Sequence, residues 1–361
     1  MIISTSKWIK VFLVNFILIF PGLIVIELLM GTWISGVSYG RLMIPKSITQ
    51  EFDVSNLYHG NKSIFIRDQY GLRGNYGATR NINILTVGGS TTNELFITEG
   101  KTWSDLLAQH FRDAGKDIYV ANAGVDGQTT IGHIKNFELW FNLIPGLKPQ
   151  YVLLYVGIND SALANGYPAR KPDYLENTRQ PFRQFFKNHS AIYNMYRNFR
   201  GMILARNANL IHGSDNPRDF VYGYPDTKFD MNAHLSIISK ALESYAQRLS
   251  TLIGHIRKMG AEPIIVTQIA SVFKVDGDGN VMGRVINGAV NNTDIRDYAT
   301  LFEHNKTAMR ICKKLDGICI DLAQKIKFVS TDYYDGIHTT PSGSAKIARL
   351  IFNELRGTII N

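Results

Sequence analysis

The sequence predicts an α/β protein: three layers, α/β/α, around a doubly wound, mainly parallel sheet, with one transmembrane helix at the N-terminus. Two observations predict the layers. From Asn81 onward, short apolar runs of strand length alternate with longer stretches of helical periodicity. Three of those runs end in small or polar clusters: 82–87 leads into Gly88-Gly89-Ser90-Thr91, 118–120 into Asn122-Ala123-Gly124, and 151–156 into Gly157-Ile158-Asn159-Asp160. Strands separated by helices imply parallel neighbours with helices on both faces, and right-handed crossovers wind such a sheet in the flavodoxin-like manner. A third observation, an apolar stretch near the start, predicts the membrane helix.

That stretch runs over 8–30, where Lys10 and Glu27 are the only charges. About 20 apolar residues cross a bilayer as a helix, and Asn15 and Pro21 are of a kind that membrane helices tolerate. Lys7 and Lys10 precede the apolar core while the next base is Arg41, so the positive-inside rule places the N-terminus in the cytoplasm and the rest outside it, in the periplasm or at the cell surface. A cleaved signal peptide is the alternative, but no A-x-A-like site follows. The expected organisation is a cytoplasmic tip and anchor over 1–33, an extracytoplasmic stem over 34–80, and an α/β domain over 81–361 with an insertion at 161–232. The stem reading rests on weak periodicity broken by Gly60, Gly71, Gly74 and Gly77.

Within 81–361 the elements follow in order. After Ser90, Thr102 is placed to cap a helix whose Trp103, Leu106, Leu107 and Phe111 share one face. A helix is expected around 134–143, then the third strand. Residues 161–232 break the rhythm, rich in Asn, Arg, Tyr, Phe and Pro, with a helical stretch possible at 191–204; an insertion directly after a site motif more often shapes substrate access than core. Leu235, Ile238, Leu242, Tyr245, Leu249, Leu252 and Ile256 mark a long amphipathic helix feeding a fourth strand at 263–269. Residues 276–292 read as loop or hairpin; Asp276-Gly277-Asp278-Gly279-Asn280 has the look of a calcium loop, but the closing Glu is missing. A helix near 295–315, a strand at 318–322 and a final helix from Pro341, capped by Thr340 and ending before Gly357, complete the chain.

The apolar fraction of 45% and charged fraction of 19% exclude a disordered chain. The net charge of +9 is spread without a dense Lys/Arg run, so it gives little support for nucleic-acid binding. The two cysteines, Cys312 and Cys319, form no metal-type pair; a disulfide and two buried thiols are equally open readings.

Ligands of open α/β sheets bind outside the carboxyl ends of the strands, which would bring Ser90, Gly124 and Asn159 to one rim. A serine hydroxyl needs a base within reach, and the base needs a carboxylate to orient it. Among nine histidines, His338 alone has an acid three positions earlier, Asp335, with Asp332 a rival for the same role. Asn159 can donate its amide N–H to an oxyanion, and Gly124 can bring a backbone N–H close to a substrate. Each has a plainer reading: Ser90 as helix cap, Gly124 as turn glycine, Asn159 as loop asparagine, and Asp335-x-x-His338 as a surface turn. Asp160 is expected to brace its loop. Such chemistry calls for no metal and no cofactor.

These four blocks, in this order, resemble the SGNH hydrolase superfamily, the GDSL-type esterases and lipases. The resemblance implies an SGNH-type fold and a Ser90–His338–Asp335 triad, with oxyanion donors from the Ser90 amide, the Gly124 amide and the Asn159 side chain. One departure stands out: the family's first block carries Asp before the serine, and here that place is Gly89. Gly88 to Thr92, preceded by Asp68-x-x-Gly71-Leu72-Arg73-Gly74, is similar to membrane-anchored bacterial members associated with surface polysaccharides. The leading expectation is therefore a membrane-anchored serine esterase releasing an acyl group, acetyl first among candidates, from a glycan. An acyltransferase using a sugar hydroxyl in place of water is the second reading, and a non-catalytic assembly or binding factor the third.

Overall fold

The computed structural model describes residues 5–31, 33–34, 42, 44–167, 186, 189–193, 195–196, 216–227 and 229–359. The chain divides into two compact units, Met1–Met43 with Asp173–Ile211, and Ile44–Pro172 with His212–Asn361. In the first, α1 (Thr5–Met30) carries Pro21 in its interior. Near its end, the Glu27 carboxylate accepts hydrogen bonds from the Ala191 and Ile192 N–H groups (3.0 and 3.1 Å) and from the Ser190 hydroxyl (2.5 Å). It thereby satisfies amides at the start of a helical turn that have no partner within their own helix. The span expected over 8–30 falls partly outside the described side chains. Among the described residues no helix is long and apolar enough to cross a membrane. Most of the expected insertion, 161–232, and most of the expected helix at 191–204 lie outside the described residues.

The second unit opens with an antiparallel hairpin, β1 (Ile48–Asp53) and β2 (Lys62–Arg67). Then come β3 (Ile82–Gly88), α2 (Ser90–Asn93), α3 (Trp103–Asp113), β4 (Tyr119–Asn122), α4 (Thr130–Leu139), β5 (Tyr151–Tyr155), α5 (Ile158–Ala164) and β6 (Tyr222–Gly223). The chain continues with α6 (Met231–Lys258), β7 (Glu262–Val266), β8 (Phe273–Val275), β9 (Val281–Ile286), β10 (Ala289–Val290), α7 (Asn292–Lys314), β11 (Ile318–Ile320), α8 (Leu322–Lys325) and α9 (Pro341–Ile359). The sheet order is β4-β3-β5-β7-β11, every pair parallel. Counted along the chain this is the flavodoxin order, whose switch point lies between β3 and β5, where ligands bind in such sheets.

The apolar runs dictate this arrangement. Ile84, Leu153, Ile264 and Val266 pack with Trp103, Leu107 and Phe111 of α3 and Ile347, Ile351 and Leu355 of α9. Alternation sends Leu85, Leu154 and Ile265 to the opposite face, where they are equally buried. The Thr102 cap forms as expected, in a capping box with Asp105. Thr340 Oγ1 accepts from the Gly343 N–H at the start of α9. That helix runs through Gly357 rather than stopping before it; a glycine in an exposed last turn costs only about 1 kcal/mol relative to alanine. The fourth strand is shorter than expected, ending at Val266, because Gln268 turns away to bond Ile158.

Three sequence readings resolve here. Cys312 and Cys319 form a disulfide joining α7 to β11. The calcium-like segment is a turn between β8 and β9, its Asp276 accepting from the Asp278 and Asn280 N–H groups. The stretch expected to be a stem belongs, from Ile44 on, to the same compact unit as the sheet.

Candidate active site

β3 ends at Gly88, and Ser90 opens the single turn α2 at the switch point. The turn is crowded. A Cβ on Gly88 would lie 2.5 Å from the Tyr155 carbonyl, and one on Gly89 would lie closer than 3.0 Å to Asn159 Nδ2. At Gly88 the obstacle is backbone, which cannot move aside; at Gly89 it is the amide end of the Asn159 side chain, which any Cβ would displace.

The partner of Ser90 comes from a distant part of the sequence. His338 Nε2 lies 2.7 Å from Ser90 Oγ, and His338 Nδ1 lies 2.7 Å from Asp335 Oδ2. A carboxylate can only accept, so a neutral ring carries its proton on Nδ1 and accepts the serine hydroxyl at Nε2. The other Asp335 oxygen accepts from the N–H groups of Ile337 (2.9 Å) and His338 (2.7 Å), which fixes the carboxylate against the turn. The Tyr334 ring stacks on the imidazole, 5.6 Å between centroids and 10° between planes. Ser90, Asp335 and His338 are all less than 10% exposed. Asp332 takes no part: it accepts from the Val329 N–H and the Ser342 hydroxyl and pairs with Lys346 at 2.5 Å.

The oxyanion candidates are placed unequally. Asn159 points its Nδ2 to the Ser90 turn, one hydrogen bonded to the Gln128 carbonyl at 2.8 Å; an amide has a second hydrogen to offer. Ser90's own N–H is at the first position of α2, where helix amides have no intrahelical partner. The Gly124 N–H donates to Asn122 Oδ1 at 2.9 Å. Gly124 is glycine for a packing reason as well, since a Cβ would lie 2.7 Å from the Thr92 carbonyl carbon and closer still to Asn93 N. Asp160 braces its loop as expected, accepting from the Thr130 N–H (2.9 Å) and hydroxyl (2.6 Å) and pairing with Arg248 at 3.0 Å.

The sequence reading missed the groups that hold the Ser90 turn. Arg67, from β2, donates to Asn93 Oδ1 (2.6 Å) and to the Gly124 carbonyl; burial pulls its guanidinium down to about 10, still protonated at neutral pH. Arg73 donates to the Asn93 carbonyl, to the Glu94 and Ile97 carbonyls (3.0 Å each), and pairs with Glu99 at 3.1 Å. Two buried cations thus stitch the hairpin segment to the nucleophile's turn. Gln268, at the end of β7, accepts from the Ile158 N–H (2.7 Å) and donates to Thr91 Oγ1 (2.8 Å), tying the blocks of Ser90 and Asn159 together. Glu94 caps α2 in the left-handed region (φ 49°, ψ 52°). Burial pushes its carboxyl up to about 7, against the opposing effects of the Ser344 hydroxyl, the Trp103 N–H, Arg73 and the Thr339 hydroxyl.

The profile of the GDSL-like lipase/acylhydrolase family matches residues 85–346, a span that contains Ser90, Gly124, Asn159, Asp335 and His338. No curated protein matches the sequence. Among solved structures, the chain is similar to TesA (14% identity, TM-score 0.42, 76% of this chain and 98% of that one). It is similar also to a lipase/acylhydrolase from Enterococcus faecalis (16%, TM-score 0.40, 76% and 96%). A catalytic mutant of an acetylxylan esterase from Geobacillus stearothermophilus is a further neighbour (14%, TM-score 0.41, 75% and 93%).

Proposed function

We propose a mechanism and a setting for this chain, which belongs to the GDSL-like lipase/acylhydrolase family and is a serine hydrolase of ester bonds. Ser90 Oγ attacks the ester carbonyl carbon while its proton passes to His338 Nε2. Asp335 stays ionised and holds the Nδ1 proton, stabilising the imidazolium. The tetrahedral oxyanion is received by the Ser90 N–H and the Asn159 side-chain N–H, with the Gly124 N–H shared between it and Asn122. His338 returns the proton to the leaving alkoxide, the alcohol departs, and water deprotonated by His338 releases the acid from the acyl-enzyme. The supporting observation is the unbroken line Asp335–His338–Ser90, two contacts of 2.7 Å, the second of which joins residues from opposite ends of the domain.

The substrate in this reading is an acetyl or similarly small acyl ester on a surface glycan, by the likeness of 88–92 and 68–74 to glycan-associated members. The setting is extracytoplasmic, with α1 as the anchor. The run over 8–30 has Lys7 and Lys10 ahead of its apolar core, and the Cys312–Cys319 disulfide suits an oxidising compartment. The test is labelling of the full-length chain with a fluorophosphonate and mapping of the modified peptide, together with turnover of an aryl acetate. The reagent should attach to Ser90, and Ser90→Ala and His338→Ala should each abolish turnover while the fold persists. Attachment elsewhere, or turnover by either variant, refutes the assignment. Adding an acetyl-free glycan to the same assay separates hydrolysis from transfer, because only a transferase moves acetyl to the sugar.

A further inference from the structure

A triad built from distant segments needs something that fixes one to the other. Ser90 and His338 are 248 residues apart in the chain, and their contact is a single hydrogen bond of 2.7 Å. Glu94, outside the triad, touches both segments, one through its main chain and the other through its side chain. The Glu94 N–H donates to the Ser90 carbonyl at 2.8 Å. Its carboxylate accepts from the hydroxyl of Thr339, the neighbour of His338, at 3.1 Å, from the hydroxyl of Ser344 in the first turn of α9, and from the N–H of Trp103 at 2.6 Å. Thr339 itself is paired across the turn with Tyr333, so a pull on its hydroxyl is carried into the backbone that bears Asp335 and His338.

The backbone points the same way. Glu94 ends α2 with φ 49°, in the left-handed region where glycine is the usual helix-ending residue and other side chains are disfavoured. A long acidic side chain is kept where glycine would relax the turn, and it is 4% exposed. A carboxylate in such a place is not used for solubility. Its three donors come from the start of α3, the residue after the base and the start of α9, the two helices that pack together over one face of the sheet.

We infer that Glu94 is a positioning residue of the esterase: its main chain holds the Ser90 carbonyl, its carboxylate holds Thr339 and Ser344, and together they set the approach of Ser90 Oγ to His338 Nε2. This rests on the assignment of Ser90 and His338 made above. Loss of the tie removes none of the proposed oxyanion donors, so its expected effect falls on the chemical step more than on binding. A shift of the order of 1 Å between reacting groups costs up to about a hundredfold in rate.

The experiment compares the full-length wild type with Glu94→Ala, Glu94→Gln and Thr339→Val, measuring kcat and KM on an aryl acetate per fluorophosphonate-titrated site, and urea unfolding midpoints. Glu94→Ala should lower kcat about 30- to 100-fold with KM within about threefold. Glu94→Gln can still accept from the Trp103 N–H and reach both hydroxyls, and should restore kcat to within about threefold of wild type, as loss of net hydrogen-bond energy alone allows. Thr339→Val removes one strand of the tie and should lower kcat about tenfold, with only the small fall in midpoint that one lost buried hydrogen bond brings. If Glu94→Ala and Thr339→Val lower only the midpoint, with kcat per site intact, the inference is overturned. Should Glu94→Ala fail to fold, Thr339→Val decides alone by the same criterion. Labelling of the wild type at a residue other than Ser90 would overturn the nucleophile assignment instead, and the inference with it.

Discussion

A single methyl group added at Gly89 separates catalytic geometry from stability. The Cβ of Gly89→Ala would sit closer than 3.0 Å to Asn159 Nδ2, where ordinary contact begins at 3.4 Å. Everything else it would meet is at 3.5 Å or beyond, so the backbone need not move. The Asn159 amide is the free end of a side chain and can swing away, giving up its 2.8 Å bond to the Gln128 carbonyl. That lost bond costs about 1 kcal/mol of stability. Catalysis has less tolerance: displacing an oxyanion donor by about 1 Å removes most of its effect, and loss of one donor lowers kcat by about a hundred- to a thousandfold. The expected outcome is an unfolding free energy within about 1 kcal/mol of wild type and a kcat on aryl acetate lower by about a hundredfold, equivalent to roughly 2.7 kcal/mol at the transition state. Gly89→Asp, which recreates the wider family's residue, should be no better. Unchanged kcat in Gly89→Ala would refute the oxyanion role of Asn159.

Asn159→Ala should lower kcat by about a hundred- to a thousandfold with little change in KM; a change confined to KM would remove the residue from the oxyanion hole. Gly124→Ala contrasts with Gly89→Ala, because its Cβ meets the backbone of Thr92 and Asn93, which cannot swing aside; it should cost about 1 to 3 kcal/mol in urea unfolding as well as activity. The buried Glu94 carboxyl, pushed from an ordinary 4.5 up to about 7, holds its proton longer in the folded chain than in the unfolded one. Its contribution to stability is therefore full below about 4.5 and is lost as pH rises through about 7, by roughly 3 kcal/mol. Unfolding midpoints of Glu94→Gln should lack this part of the decline, and parallel curves for the two proteins would contradict it. Reduction of Cys312–Cys319 should lower the unfolding free energy by about 2 kcal/mol, a figure set by the short loop it closes; an unchanged midpoint in dithiothreitol would argue against the bond in solution.

The site was legible where its chemistry sits beside a local signal. Ser90, Gly124 and Asn159 follow strand ends that apolar runs announce, and the Asp335 and His338 pair lies within one turn. The choice between Asp335 and Asp332 was not legible, because it depends on which way each carboxylate faces, and Asp332 is turned to Lys346. Arg67 was hidden by an inverted pattern. In β2 the inward residues are Ser63, Phe65 and Arg67, while Ile64 and Ile66 face out, 43% and 39% exposed. A reading that sends isoleucine inward puts the arginine in solvent. Glu94 gave no signal at all, since an acid after a short polar run reads as a surface residue. The end of β4 was missed because Asn122 is polar yet stays in the ladder, paired with Thr86 and bridged to Arg73.

The meeting of Ser90 with His338 has a consequence for the making of the protein. In the proposed mechanism the nucleophile is synthesised well over two hundred residues before its base, which lies on the turn that precedes α9, a helix packed on α3. A chain interrupted before residue 338 carries the serine without the imidazole proposed to take its proton. On the proposed reading, ester cleavage therefore waits until α9 has closed on α3.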